Sequence, residues 1–164
     1  MEQGAMSDTE HVEKVWKLAN AIRECMLITW DGERQRARPM AAHVAEDEHA
    51  IYFLTDEHSA KNWQIENFPV VSLAFSDKGN HDYVVITGRA TVSDDRAKIK
   101  DLWSAWAKAW WDSPEDPEIR LLKVSPEDAE MWESPNGPVA QAKMLIAAAT
   151  GGRPDMGDHA KVSL

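Results

Sequence analysis

Two apolar, β-prone runs that fold back on themselves through very short connections limit this chain more than any other feature. Cys25-Met26-Leu27-Ile28-Thr29-Trp30 runs into Asp31-Gly32, a dipeptide that supplies positive φ to a tight hairpin, and the chain returns as Arg34 to Met40. Val70 to Phe75 and Tyr83 to Val92 are joined in the same way across Asp77-Lys78-Gly79-Asn80. A parallel pair needs a crossover of a dozen residues or more, so connections this short dictate antiparallel pairing. With Ala50 to Thr55, Ile119 to Val124 and an extended piece at Ala129 to Glu133, about six short strands emerge. The expected class is mainly β with flanking helices (α+β), built as an antiparallel barrel.

Helical signals fill the remainder. Ser7-Asp8-Thr9-Glu10 has the form of a capping box, and Val12, Val15, Trp16, Ala19 and Ile22 recur on one face, predicting a helix over about Thr9 to Glu24. Ser59 is a plausible cap for a short helix that Pro69 must end, with Trp63, Ile65 and Phe68 as its apolar contacts. Ser93-Asp94-Asp95 opens a predicted helix to about Trp111, whose Ile99, Leu102, Trp103, Trp106 and Trp110 form a core or interface stripe. Ser125-Pro126-Glu127 reads as a turn, and Gly137-Pro138 opens an Ala-rich helix ending near Gly151-Gly152. Gly88, inside a strand pattern, marks a bulge or a close backbone approach, and Pro39 places its strand at an edge. One folded domain over 9–152 is expected, with residues 1–8 disordered and 153–164 a mobile tail.

Composition removes several classes of function. Eighteen Lys and Arg against 28 Asp and Glu leave a formal charge of −10, which repels polyanions, so nucleic acid is not expected as a partner. Neither a membrane span nor a leader is visible, and the single Cys25 suits a reducing cytoplasm. His43, His49, His58 and His81 lack ligand spacing, so no metal is expected. No G-x-S-x-G elbow or Gly-rich nucleotide loop occurs.

One cluster points towards chemistry. Arg34, Arg36, Arg38 and Met40 alternate onto one strand face, while Thr55, Ser59 and Lys61 lie where the next strand enters a helix. Hydroxyls, helix-end amides and cations make a cradle for an anion. The same residues also suit plainer roles, Ser59 as a cap, Lys61 as a solvated side chain, and the arginines as partners of carboxylates.

Arg36-Ala37-Arg38-Pro39-Met40, Phe53-Leu54-Thr55 followed by Ser59-Ala60-Lys61, Tyr83 to Ala90, and Ala129-Glu130-Met131-Trp132 occur in an order that resembles the pyridoxamine 5′-phosphate oxidase-like flavoproteins, most closely the bacterial general stress protein group. The resemblance covers roughly Val12 to Trp132. It implies an FMN-binding split β-barrel that dimerises with flavin between the subunits. It further implies that Arg38, Ser59 and Lys61 hold the FMN phosphate, that Pro39, Met40, Leu54 and Thr55 line the ring and ribityl path, and that Tyr83 and Trp132 reach the cofactor. His43 stands where the family has a lysine. FAD or a deazaflavin remains an alternative, because a phosphate cradle does not read what lies beyond it. True pyridoxamine phosphate oxidases follow the tryptophan with an R-L-H-D-R-like segment, whereas here Glu133-Ser134-Pro135-Asn136-Gly137 follows, without Arg or His. The expected function is therefore an FMN-dependent oxidoreductase other than a vitamin B6 oxidase, with no assignable catalytic residue and an unidentified redox partner. The alternative is a flavin-binding or flavin-buffering stress protein without turnover.

Overall fold

The computed structural model describes residues 6–135, 137–154 and 157–164. Eight strands form one antiparallel sheet: β1 (Glu24–Trp30), β2 (Gln35–Ala41), β3 (His43–Ala45), β4 (Ala50–Asp56), β5 (Val70–Asp77), β6 (Asp82–Ser93), β7 (Ile119–Glu133) and β8 (Asp158–Ser163). They run in the order β2-β1-β5-β6-β7-β4-β3, with β8 on the free half of β7. The sheet curls into a split β-barrel. Helices α1 (Asp8–Ile22), α2 (Ala60–Asn67), α3 (Arg96–Asp101) and α4 (Gly137–Thr150) flank it.

Period-two alternation sends Cys25 and Leu27, Val71, Leu73 and Phe75, Val84 and Ile86, and Ala129 and Met131 into one core, which α1 closes with Val15, Trp16 and Ala19. Strand β4 is apolar on both faces because it also backs a second cluster of Ala50, Tyr52, Ile99, Ile119 and Leu121. The capping box is present: the Glu10 amide donates to the Ser7 hydroxyl, and the Glu10 carboxylate accepts from the Ser7 amide at 2.7 Å. Pro39 lies on an edge strand, where its missing N–H costs no ladder bond. Desolvation pushes the Cys25 thiol up to about 12, which makes it an inert core residue.

Several expectations are corrected. Helix α1 opens at Asp8 and ends at Ile22, so order begins inside the segment 1–8 expected to be disordered; residues 1–5 lie outside the described residues. The first hairpin spans Asp31 to Arg34, with the Asp31 carboxylate accepting from the Glu33 and Arg34 amides, so Arg34 leaves the strand face. The helix expected to reach Trp111 stops at Asp101. Leu102, Trp103 and Trp111 pack on the second cluster, whereas Trp106 and Trp110 are each 79% exposed. Trp63 is more than half exposed, though its ring meets Phe68 edge-on with centroids 6.3 Å apart. Ser125-Pro126-Glu127 is no turn. It is absorbed into the 15-residue β7, where Pro126 lies opposite Gly88 at a register shift. The tail expected to be mobile instead returns as β8, because Ala160, Val162 and Leu164 alternate onto the core while residues 158–163 pair with Asp128 to Glu133; residues 155–156 lie outside the described residues. Strand β3 was not foreseen.

Helix α1 is tied to β8 and β7 by side-chain contacts. The His11 ring nitrogen Nε2 lies 2.8 Å from an Asp158 oxygen, with His11 almost wholly buried, and Lys14 pairs with Glu133 at the end of β7. His11→Ala is expected to cost about 1.5–3 kcal/mol, the range for a hydrogen bond to a charged group, and to speed amide exchange in β8 selectively. Urea unfolding and hydrogen exchange over residues 158–163 check this.

Candidate functional site

The junction of β1, β2 and α2 brings two partly buried cations, Arg38 and Lys61, close together. Arg38 lies on edge strand β2 opposite Leu27, with its side chain on the core side of the sheet. Its Nη1 donates to the Thr29 hydroxyl at 2.7 Å and to the Leu27 carbonyl at 3.3 Å, and its Nη2 donates to Gln64 Oε1 at 2.9 Å. The Thr29 hydroxyl donates to the same Gln64 oxygen at 2.5 Å. Thr29 and Gln64 are both buried, so a strand and a helix jointly fix the guanidinium.

Lys61 lies three residues before Gln64 and shares its helix face. Its ammonium donates to the Ser59 hydroxyl at 2.5 Å. Ser59 therefore occupies the cap position of α2 without capping through its side chain. Burial, and then the neighbouring Arg38 charge, hold the Lys61 ammonium below its ordinary pKa, with Asp56 partly offsetting them; burial lowers Arg38 as well. Among the described residues, neither cation has a carboxylate within ion-pair distance. Two adjacent partly desolvated cations without an anion form an unbalanced arrangement, which a bound dianion would balance.

The hydroxyl of Thr55 is fully buried on the core side of β4 and has no hydrogen-bond partner. Buried polar atoms without partners are rare enough to require a reason. Asn62 braces the same turn by donating to the Asp56 and Glu57 carbonyls at 2.9 and 3.1 Å, while its own Oδ1 also lacks a partner. Asn62 sits in the first turn of α2, whose first amides carry the positive end of the helix dipole, while Thr55 lies near the end of β4.

The structure thus gathers Arg38, Ser59 and Lys61, with Thr55 at the root of the same turn. Arg36 is drawn away by an ion pair with Asp31 at 2.6 Å, and Arg34 is exposed in the hairpin loop. Met40 packs against the main core, and Pro39 faces solvent. Leu54 points to the opposite side of β4, into the second cluster. His43 borders an open cavity of about 380 Å³ with Asn20, Arg23, Tyr52 and Leu102, where burial and the Arg23 charge push its pKa down. Thr29 and Gln64 were missed; the signal available was a polar residue at each inward position of a strand and a helix.

Tyr83 and Trp132 stand elsewhere. They are directly paired across β6 and β7, each three residues from the inward-facing Ile86 and Ala129, and therefore lie on the outer face of the sheet. Trp132 stacks on His159 of β8, with ring centroids 5.2 Å apart and planes 9° apart. His159 Nε2 lies 2.7 Å from a Glu130 oxygen, and Lys161 pairs with the same carboxylate at 3.6 Å. The segment just after Trp132 has no Arg or His, but β8 restores a histidine and a lysine beside it. Arg38 and the Tyr83–Trp132 pair occupy opposite faces, so a single chain does not unite them around one ligand.

Residues 10–155 match the family model described as pyridoxamine 5′-phosphate oxidase like. The chain belongs to the pyridoxamine 5′-phosphate oxidase-like family. It is 31% identical over 106 residues to general stress protein 26 of Bacillus subtilis (strain 168), covering 61% of this chain and 75% of that one. Among solved structures, one described as a general stress protein 26 from Jannaschia sp. CCS1 superposes with a TM-score of 0.77 at 27% identity, covering 96% of this chain and all of the other. The general stress FMN/FAD binding protein of Xanthomonas citri superposes with a TM-score of 0.65 at 32% identity, covering 74% and 87%. The split-barrel architecture expected of this family is the one observed.

Proposed function

We propose that this chain is an FMN-dependent oxidoreductase of the general stress protein type, working in the cytoplasm as a homodimer with its flavin between the subunits. The single observation that carries the reading is the Arg38–Lys61 pair, two partly buried neighbouring cations that, among the described residues, have no carboxylate within ion-pair distance. An FMN phosphate fits the donor set: the guanidinium fork and the ammonium supply charge, while Ser59 and the first amides of α2 supply directed donors. Thr29 and Gln64 would keep Arg38 in position before the ligand arrives, which lowers the ordering cost of binding. When bound, flavin supplies hydride transfer; the chain's residues bind it, orient it and exclude water.

The placement of Tyr83 and Trp132 on the outer face supports the dimer, because they reach a flavin held at Arg38 only if a second copy provides one of the two halves. The description of the Xanthomonas citri relative as an FMN/FAD binding protein supports the cofactor class. A role other than vitamin B6 oxidation is favoured because the segment just after Trp132 supplies no Arg or His, and the two basic side chains of β8, His159 and Lys161, both pair with Glu130.

Purified protein stripped of ligand and titrated with FMN is expected to quench flavin fluorescence and saturate at one flavin per chain. Loaded protein is then expected to oxidise a nicotinamide donor under air. Tight flavin with no oxidation of any donor would move the reading to flavin buffering. A chain that binds neither FMN, FAD nor a deazaflavin would overturn it.

A further inference from the structure

Where α1 ends beside edge strand β3, the open cavity of about 380 Å³ is walled by Asn20, Arg23, His43, Tyr52 and Leu102. His43 lies directly opposite Tyr52, and Tyr52 belongs to the second cluster, so this wall is on the other side of the sheet from Arg38. Arg23 is the unexpected member. Its φ of 62° and ψ of −40° form a positive-φ conformation that glycine adopts at less cost than any residue with a Cβ. The chain holds it there from both sides: the Arg23 amide donates to the Ala19 carbonyl at 2.9 Å, and the Arg23 carbonyl accepts from the Ala42 amide at 2.8 Å. The carbonyl end of α1 favours a cation, and the last turn of the helix has no basic residue. A cation inside that turn would serve the dipole without strain, so the dipole alone does not account for an arginine at this backbone position.

The chemistry of the cavity indicates what it takes. In a chain with 28 acidic residues, neither the Arg23 nor the His43 side chain has a hydrogen-bond or ion-pair partner among the described residues. Burial first, and then the Arg23 charge, keep the His43 imidazole uncharged at neutral pH, so the pair offers one positive charge and one neutral N–H donor. Glu48, the carboxylate that accepts from the Tyr52 hydroxyl at 2.5 Å, is balanced by Lys98 at 2.6 Å, so Tyr52 presents its ring rather than its hydroxyl. Two charges at Arg38 and Lys61 suit a dianion, whereas one charge beside apolar walls suits a monoanion with an apolar body. We propose that this cavity binds a small carboxylic acid, its carboxylate on the Arg23 guanidinium fork and the His43 ring N–H, its hydrocarbon part against Val44, Leu102 and the Tyr52 ring. The site is separate from the flavin reading above and does not depend on it.

The test uses the full chain freed of flavin and benzoate as the probe, with benzamide as its uncharged counterpart and inorganic phosphate as a compact anion. Followed by NMR, benzoate is expected to shift the His43 ring and the Val44 amide saturably, with benzamide at least about tenfold weaker and phosphate acting at Arg38 and Lys61 instead. Arg23→Gly and Arg23→Gln should each raise the benzoate Kd at least about tenfold. Both remove the charge, but only the glycine relieves the backbone, so Arg23→Gly should melt above Arg23→Gln. No saturable shift at His43, benzamide binding as tightly as benzoate, or unchanged benzoate affinity in both variants overturns the proposal. Arg23→Gly melting below Arg23→Gln removes the strain argument and overturns the assignment of Arg23. FMN titration of the same variants keeps the two sites apart: their FMN affinity should equal that of wild type, and a matching loss would place the cavity in the flavin site and overturn the proposal. Benzoate binding in a chain that takes no flavin sinks the cofactor and leaves this site standing.

Discussion

Arg38→Ala and Lys61→Ala are each expected to weaken FMN binding by about 1.5–3 kcal/mol, the range for hydrogen bonds to charged groups, which is roughly a 10- to 150-fold rise in Kd. Arg34→Ala should leave Kd unchanged, because Arg34 lies in the hairpin loop with its guanidinium exposed. Riboflavin, which lacks the phosphate, should bind wild type and both variants alike, so the loss is read in the ratio of FMN to riboflavin affinity. The same pair sets a pH dependence. Burial and Arg38 hold Lys61 below its ordinary pKa, and a bound dianion favours the protonated form. Affinity is therefore full while Lys61 is charged and falls as pH rises through its lowered pKa, beginning below the 10.5 of a free lysine. Lys61→Ala should remove that alkaline decline along with the affinity. Equal FMN affinity in wild type, Arg38→Ala and Lys61→Ala would rule out the cradle.

Gly88→Ala should destabilise the fold more than any surface change, by at least about 3 kcal/mol, and Gly88→Val should prevent accumulation of folded protein. A Cβ at this position would lie 2.3 Å from the Ser125 carbonyl oxygen and 2.9 Å from the Pro126 Cα. Those obstacles are backbone, inside the longest pairing in the sheet, so no side-chain rotation relieves them. The close approach exists because β7 carries an extra residue where Pro126 cannot donate to the ladder, and the bulge presses it onto β6. Thermal unfolding of Gly88→Ala, beside Gly79→Ala in the exposed hairpin turn, separates this contact from a general loss of glycine. Similar melting temperatures for the two variants would contradict it.

What the sequence made legible followed from local chemistry. The Ser7 capping box, the Asp77–Asn80 hairpin, the Gly88 bulge and the edge placement of Pro39 each depend on a few neighbouring residues, and each is present. What stayed hidden depended on partners distant in sequence. Trp106 and Trp110 keep a helical period, but periodicity cannot tell that the helix stops at Asp101 and leaves both rings exposed. Pro126 carries a turn signal that pairing with Gly88 overrides. The alternation of Ala160, Val162 and Leu164 was visible, but its partner surface on β7 is separated from it by all of α4. The site divides along the same line. Arg38, Ser59 and Lys61 could be drawn together from a strand face and a helix start, whereas Thr29 and Gln64, which fix Arg38, share no motif and meet only in three dimensions.

Mixing two defective variants tests most directly whether one flavin site is built from two chains. Arg38→Ala removes the cradle and Trp132→Ala removes the outer-face aromatic, so each variant alone should bind FMN weakly. Unfolded together and refolded as mixed dimers, they should recover wild-type affinity at about one site in four, because each mixed dimer holds one intact site and one doubly defective one. Recovery of that high-affinity fraction, absent from either variant alone, is the predicted result. A mixture whose titration is the simple average of its two components would contradict a shared site.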